Sequence, residues 1–257
     1  MFDGPLQLDL DPAERRARLR LARSPRIGPI TFHEALQHFG SARAACATLA
    51  TVSDAVIAQE EKTLAAAGGR FLVLGDPAYP SSLAALADAP PVLSAIGDPG
   101  LPARPTLALV GAREASMAGR RFAGELAATL GAAGFVIASG LARGTDTAAH
   151  EAALATGTIA VLAGGIDQIY PPQNASLYSR IAAQGLLLSE SSHGAPSIAR
   201  AFPPPQPHRV GTVGRGDRDR SGCPFGLPDH GAKGRRTGSR GLCGARFTHG
   251  PPPCRLQ

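Results

Sequence analysis

The chain is short of aromatic side chains, at 5% of 257 residues, and carries four cysteines, Cys46, Cys223, Cys243 and Cys254. No Cys-x-x-Cys or His-x-x-x-His pair accompanies them, and structural zinc sites are built on such close spacing. The last three cysteines, with His208, His230 and His249, are therefore not read as a metal site, and no metal is expected. Cys46, alone in an Ala-rich stretch, reads as a small core residue. No apolar run approaches the ~18–20 residues that a membrane span needs. The opening MFDGPLQLDLDPAERR lacks the basic start and apolar stretch of a secretory signal, so a cytoplasmic protein without membrane association is the expectation. Two phosphate fingerprints are also missing. The first candidate glycine turn reads GAREAS rather than Gly-x-Gly-x-x-Gly, and no Gly-x-x-x-x-Gly-Lys-Ser/Thr run occurs. Nor does an acidic residue end the second strand to hold a ribose, so neither NAD nor ATP, and no other cofactor, is expected.

Charge is present but unevenly placed. Of 26 Lys/Arg and 20 Asp/Glu, ten and three lie beyond Pro203, which leaves 16 basic against 17 acidic side chains before it. The formal charge of +6 belongs to the tail and says little about a partner of the body.

Four textures divide the chain: a helical domain over 1–69, a connector over 70–105, an α/β domain over 106–203 and a basic tail over 204–257. In the first, AERRARLRLAR, ITFHEALQHF, SARAACATL and SDAVIAQEEKTLAAA have helical spacing, with Ser53 placed to cap the last. The Ile27-Gly28-Pro29 turn resembles a helix-hairpin-helix unit, read here as a packing module rather than a phosphate contact. The connector holds FLVLG and VLSAIG as short strands among prolines such as those of YPSSL and APP, and reads as an extended lead-in. From Thr106 the runs TLALVGA, FVIASG, TIAVLAGG and LLLSE alternate with three helices. Continuously apolar strands predict a parallel sheet covered on both faces. The architecture is a Rossmann-like, doubly wound, mostly parallel α/β sheet behind a small all-helical domain.

Ligands of such sheets sit at the carboxyl ends of the strands. Those ends are Gly111-Ala112-Arg113, Ser139-Gly140-Leu141-Ala142-Arg143-Gly144 and Gly164-Gly165. Glycine lets a ligand approach the backbone, helix N-termini favour an anion, and Arg113 and Arg143 add charge-assisted contacts. These turns point to a phosphate or phosphodiester site. Asp146 and His150, four apart on one helix, are an acid–base or metal candidate, but capping and packing is the favoured role because no nucleophile or third ligand accompanies them. Ser139 follows a strand in the context ASGLA, not the Gly-x-Ser-x-Gly of a nucleophile elbow. Tyr170-Pro171-Pro172 reads as the anchor of the loop before the third helix. No catalytic constellation emerges.

VGAR, SGLARGTDTAAHEAAL, TIAVLAGGID, YPPQN and LLLSE, in this order over ~85 residues, closely resemble the DNA processing protein A (DprA/Smf) family. The likeness extends from about Asp11 to Pro203. It implies a non-enzymatic, cytoplasmic protein that binds single-stranded DNA, dimerises when its C-terminal region is intact, and assists a RecA-type recombinase in natural transformation. On the family's pattern Gly111, Arg113, Ser139, Gly140, Arg143 and Gly144 meet phosphates, and Phe202 stacks on a base. The alternative is a nucleotide hydrolase of the lysine-decarboxylase-like phosphoribohydrolase type, whose Pro-Gly-Gly-x-Gly-Thr loop is not matched by AGGIDQIYPP. A third reading is a scaffold with a dead pocket.

After Ala201-Phe202-Pro203 the resemblance stops, and Gly, Pro and Arg replace the aliphatic residues, a composition that predicts disorder. A shift of one base gives a reason. Read so that each codon's last two bases join the next codon's first, Pro204–His208 can encode RRNRI, Phe225–Lys233 SGSLITARR, and Thr237–Thr248 QGREVFAVPGSP. One extra base in the C-rich codons of Pro203–Pro205 would place the tail out of frame, and sequencing the gene through them decides the matter.

Overall fold

The computed structural model describes residues 10–197. Phe202, the tail over 204–257 and the disorder expected there lie outside the described residues. Four helices come first: α1 (Pro12–Ala22), α2 (Pro29–Phe39), α3 (Ala42–Thr48) and α4 (Asp54–Ala66). Pro12 and Pro29 each stand at a helix start, where a missing N–H is harmless. Ser41 caps α3 by accepting from Ala44 N at 3.1 Å. Ser53 holds the cap position of α4 as expected, in extended backbone and without a side-chain capping bond. Ala17, Leu21, Phe32, Ala35, Ala42 and Ala45 form the small core of this bundle. Cys46 packs against that core half-buried, its Sγ donating to Ala17 O.

The sheet has six strands, β1 (Gly69–Val73), β2 (Val92–Gly97), β3 (Thr106–Ala108), β4 (Val136–Ser139), β5 (Thr158–Leu162) and β6 (Leu186–Ser189), in the order β1-β2-β6-β5-β4-β3. β3, β4, β5 and β6 are parallel, while β2 pairs antiparallel with both β6 and β1. The segment read as a connector thus contributes two strands to the sheet. YPSSL is not extended: Ser81–Ala84 is a short helix, α5, beside buried Tyr79, whose hydroxyl donates to Pro90 O at 2.6 Å.

The remaining helices are α6 (Met117–Ala132), α7 (Thr145–Ala153) and α8 (Ala175–Gln184), which join the parallel strands. This is the Rossmann-like α/β arrangement expected. Among the described residues its winding runs one way: β3 to β6 follow chain order, and right-handed crossovers then put α6, α7 and α8 on one face. The burial pattern agrees. Phe71, Val73, Ile96, Ala160, Leu162 and Leu187 pack with residues of α1, α4 and α8. The alternate positions Leu72, Leu93, Ala95, Ile159 and Leu188 pack with Tyr79, Leu83 and Leu101.

One strand departs from expectation. TLALVGA reads as buried on both faces, yet Thr106, Ala108 and Val110 are exposed. The reason is position: β3 is a sheet edge and pairs only with β4 among the described residues.

Candidate functional site

At the carboxyl ends of β3 and β4 lies a cavity of about 570 Å3 lined by Arg113, Glu114, Arg120, Arg143, Thr147, Glu151 and Asn174, among others. Two loops build it, and glycine decides how closely they approach. Gly144 has φ +81° and ψ −117°, a conformation that excludes ordinary side chains. A Cβ there would also lie 2.6 Å from Arg113 O and collide with Ala112 O. A Cβ on Gly111 would sit 2.6 Å from Thr145 Oγ1. Backbone therefore packs on backbone, with Thr145 N donating to Ala112 O at 3.3 Å. This contact brings Arg113, from the first loop, and Arg143, from the second, to one cavity. The glycines serve loop against loop here, which corrects the expectation that they leave room for a ligand.

The second loop is held from within. Leu141 is fully buried at φ 56°, unusual for a branched side chain. Asp146, in the first turn of α7, accepts from Gly140 N at 3.2 Å and Ala142 N at 3.3 Å. Burial raises its pKa above the ordinary value, while the N–H groups of Ala142, Gly140 and Gly111 pull it back down. Asn174 Nδ2 donates to Leu141 O at 2.8 Å and lies 3.0 Å from Thr147 Oγ1. The anchor of the loop before α8 is therefore Asn174, since Tyr170, at the cis Tyr170–Pro171 bond, is half exposed.

His150 is fully buried. The Thr158 hydroxyl donates to Ile137 O at 2.8 Å, so its oxygen accepts from His150 Nδ1–H at 2.7 Å. Nε2 has no hydrogen-bond partner among the described residues. Burial pushes the imidazole pKa down to about 4, against a smaller upward pull from the Ser139 backbone. Asp146 and His150 are thus parts of loop and core, the capping and packing role favoured from sequence.

The predicted site residues divide. Arg113, Arg143 and Gly144 line the cavity, with Gly111 packed beneath it against Thr145. Gly140 packs toward Asp146 and the Val161 carbonyl. Ser139 is buried and its hydroxyl donates to Leu109 O at 2.6 Å, so its side chain points inward and away from the cavity. The third turn, Gly164-Gly165, lies under the segment 192–197 instead of joining the cavity, with Gly165 N donating to Ala195 O at 2.8 Å. Phe202 lies outside the described residues.

Arg120, Glu114, Glu151, Thr147 and Asn174 were not foreseen as lining. Asn174 belongs to the YPPQN motif, and Arg120 lies four residues after the Ser116 that caps α6. The Arg113 and Arg143 side chains make no hydrogen bond or ion pair with a described residue, and Arg120 only donates to Ala115 O at 3.1 Å. Three arginines thus line one cavity with no carboxylate of a described residue bound to any of them.

A family model described as DNA recombination-mediator protein A matches residues 70–205, and one described as a DprA-like N-terminal HHH domain matches residues 12–66. The chain is similar to Protein Smf of Synechocystis, 41% identical over 142 residues that make up 52% of this chain and 35% of that protein. It is also similar to DNA processing protein DprA of Streptococcus pneumoniae, 40% identical over 135 residues, 52% of this chain and 47% of that one. The X-ray structure of DprA from Streptococcus pneumoniae superposes with a TM-score of 0.60 at 25% identity, covering 75% of this chain and 71% of that chain. The matched part thus spans less than half the length of these two curated relatives. On these matches, the chain belongs to the DNA recombination-mediator protein A (DprA/Smf) family.

Proposed function

We propose that the chain binds single-stranded DNA, with backbone phosphates seated in the cavity at the carboxyl ends of β3 and β4, and so serves a RecA-type recombinase as a mediator in recombination and natural transformation. The observation that carries this reading is the convergence of Arg113, Arg120 and Arg143 in one cavity without an ion-pair partner among the described residues. Unpaired guanidinium groups are poised for bidentate phosphate contacts, and a phosphodiester chain needs several such groups in a row. Gly111, Gly140 and Gly144 contribute by setting the loop shape, and Ser139 by tying its loop to Leu109. Phe202 would add a ring on which a base can stack. The protein acts by binding rather than by turnover, in the cytoplasm, without a cofactor, and as a homodimer when its C-terminal region is intact. The phosphoribohydrolase alternative is disfavoured by AGGIDQIYPP, which does not match its Pro-Gly-Gly-x-Gly-Thr loop, and the separate acid–base candidates Asp146 and His150 are buried.

The test is fluorescence anisotropy of labelled oligo-dT with the full chain, comparing Arg113→Ala/Arg143→Ala with Arg121→Ala. Arg121 is exposed and pairs with Glu125 at 2.8 Å, outside the cavity. Loss of two charge-assisted contacts should weaken binding about tenfold or more, and Arg121→Ala should change it less than about twofold. Photocrosslinked peptides should map to 111–120 and 140–151. Equal affinity of the two variants, or crosslinks confined to 204–257, would overturn the proposal.

A further inference from the structure

The three tyrosines of the chain are used differently. Tyr79 is buried and its hydroxyl donates to Pro90 O at 2.6 Å. The Tyr178 hydroxyl donates to Ile166 O. Tyr170 is 51% exposed, and its hydroxyl makes no hydrogen bond with a described residue. Ile169 beside it is 39% exposed, so two large apolar side chains stand together in solvent on one loop.

That loop is tethered on both sides of the ring. Before it, Ile166 is buried with its carbonyl held by Tyr178, Asp167 accepts from Gly194 N at 2.8 Å, and Gln168 N donates to Gly165 O at 2.8 Å. After it, Pro171 is buried, and its carbonyl accepts from Asn174 N at 3.0 Å. A ring on a loop fixed in this way loses little freedom on meeting a ligand, so the stacking contact is not spent on ordering the chain.

The loop runs from the carboxyl end of β5 to α8, and β5 pairs parallel with β4. The loops after β3, β4 and β5 therefore share one rim of the sheet, in that order. Arg113 comes from the first and Arg143 from the second, and Asn174, four residues after Tyr170, lines the same cavity from the third. Four residues span at most about 14 Å, so Tyr170 lies within that reach of the cavity wall. Phe122, the other exposed Phe or Tyr among the described residues, is placed differently. It stands two residues from Arg120, which lines the cavity, and two from Gly124, which faces Ala148 and Ala152 of α7. Residues two apart on a helix do not share a face, so Phe122 turns away from both.

We infer that Tyr170 is a stacking platform for a base of the single strand whose phosphates lie on Arg113 and Arg143. This inference rests on the DNA-binding reading and adds to it the group that meets a base on the β5 side of the rim. Arginines alone hold any phosphodiester chain, paired or unpaired. A ring stacks only on a base that has left its neighbours, which selects a single strand, and it tolerates any sequence because every base has a π-face.

The test is fluorescence anisotropy of the full chain with labelled oligo-dT and with an abasic deoxyribose-phosphate strand of the same length, for the parent, Tyr170→Ala and Tyr170→Phe. Tyr170→Ala should bind oligo-dT about 5- to 150-fold more weakly than the parent, and the abasic strand as the parent does. Tyr170→Phe keeps the ring and should stay within about twofold of the parent on both strands. Stacking releases no counterion, so the slope of log K against log salt should be the same for all three proteins. Equal binding of oligo-dT by the parent and Tyr170→Ala would overturn the inference, and the phosphate reading would outlive it if Arg113→Ala/Arg143→Ala still weakened binding. An equal loss on both strands would also overturn it, since that marks a disturbed loop rather than a lost base contact. Absence of arginine-dependent binding in the parent would remove the DNA-binding reading and the inference together.

Discussion

Along α1 and its C-terminal cap, Arg15 lies 2.9 Å from Asp76, Arg16 2.5 Å from Glu61, Arg18 3.1 Å from Glu14 and Arg23 3.1 Å from Glu60. Around the cavity, Arg113 and Arg143 have no such partner among the described residues. The first set is structural. Arg23, 7% exposed, also donates to Glu190 O and Ser94 Oγ and lies over the Phe71 ring, which ties the helical bundle to the sheet. The second set is available to a ligand. Counting arginines would rank the helical end first, whereas asking which are already paired reverses the order.

The comparison can be broken most forcefully at Arg23. Arg23→Ala leaves the Glu60 side chain, 10% exposed, without its counter-charge, and the expected loss is about 3–5 kcal/mol in chemical denaturation. A loss below about 1 kcal/mol would place Arg23 with ordinary surface pairs.

Titration sharpens the same contrast in the core. His150 has its folded pKa depressed from 6.5 to about 4, so its contribution is present above 6.5 and is lost as pH falls through 4. Asp146, raised by burial, works in the opposite sense, its contribution present below 3.8 and lost as pH rises through its folded value. Thermal unfolding from pH 7 to 4 should therefore lose about 3 kcal/mol that His150→Leu does not lose. Parallel pH curves for the two proteins would remove His150 from the account.

The smallest stability effects belong to the cavity. Gly144→Ala adds a side chain at positive φ against the Arg113 backbone, and should cost about 1–3 kcal/mol. Arg143→Ala, which breaks no described contact, should stay within about 0.5 kcal/mol of the parent. If Arg143→Ala were as costly as Arg23→Ala, the division into paired and unpaired arginines would fail.

Helices and strands were legible because the apolar spacing of TIAVL, or of ARLRLA, is local. What escaped sequence depends on partners far along the chain. The buried state of β4 and the exposed state of β3 are not distinguished by FVIAS and TLALV, since exposure depends on which strand stands alongside. Ser139 looked like a phosphate ligand, but its side chain takes the carbonyl of Leu109, 30 residues earlier. Asn174 reaches back 33 residues to Leu141, and Arg15 is matched to Asp76, 61 residues on. Arg113 and Arg143 were legible as a pair because each follows a strand end by a few residues, and parallel strands align those ends.

The most direct measurement is the salt dependence of oligo-dT binding by the full chain, with and without Arg113→Gln, Arg120→Gln and Arg143→Gln together. Each phosphate contact on a single strand contributes about 0.7 to the slope of log K against log salt, so removing three should flatten it by about 2. An unchanged slope would mean that these arginines hold no phosphates, and would contradict the account at its centre.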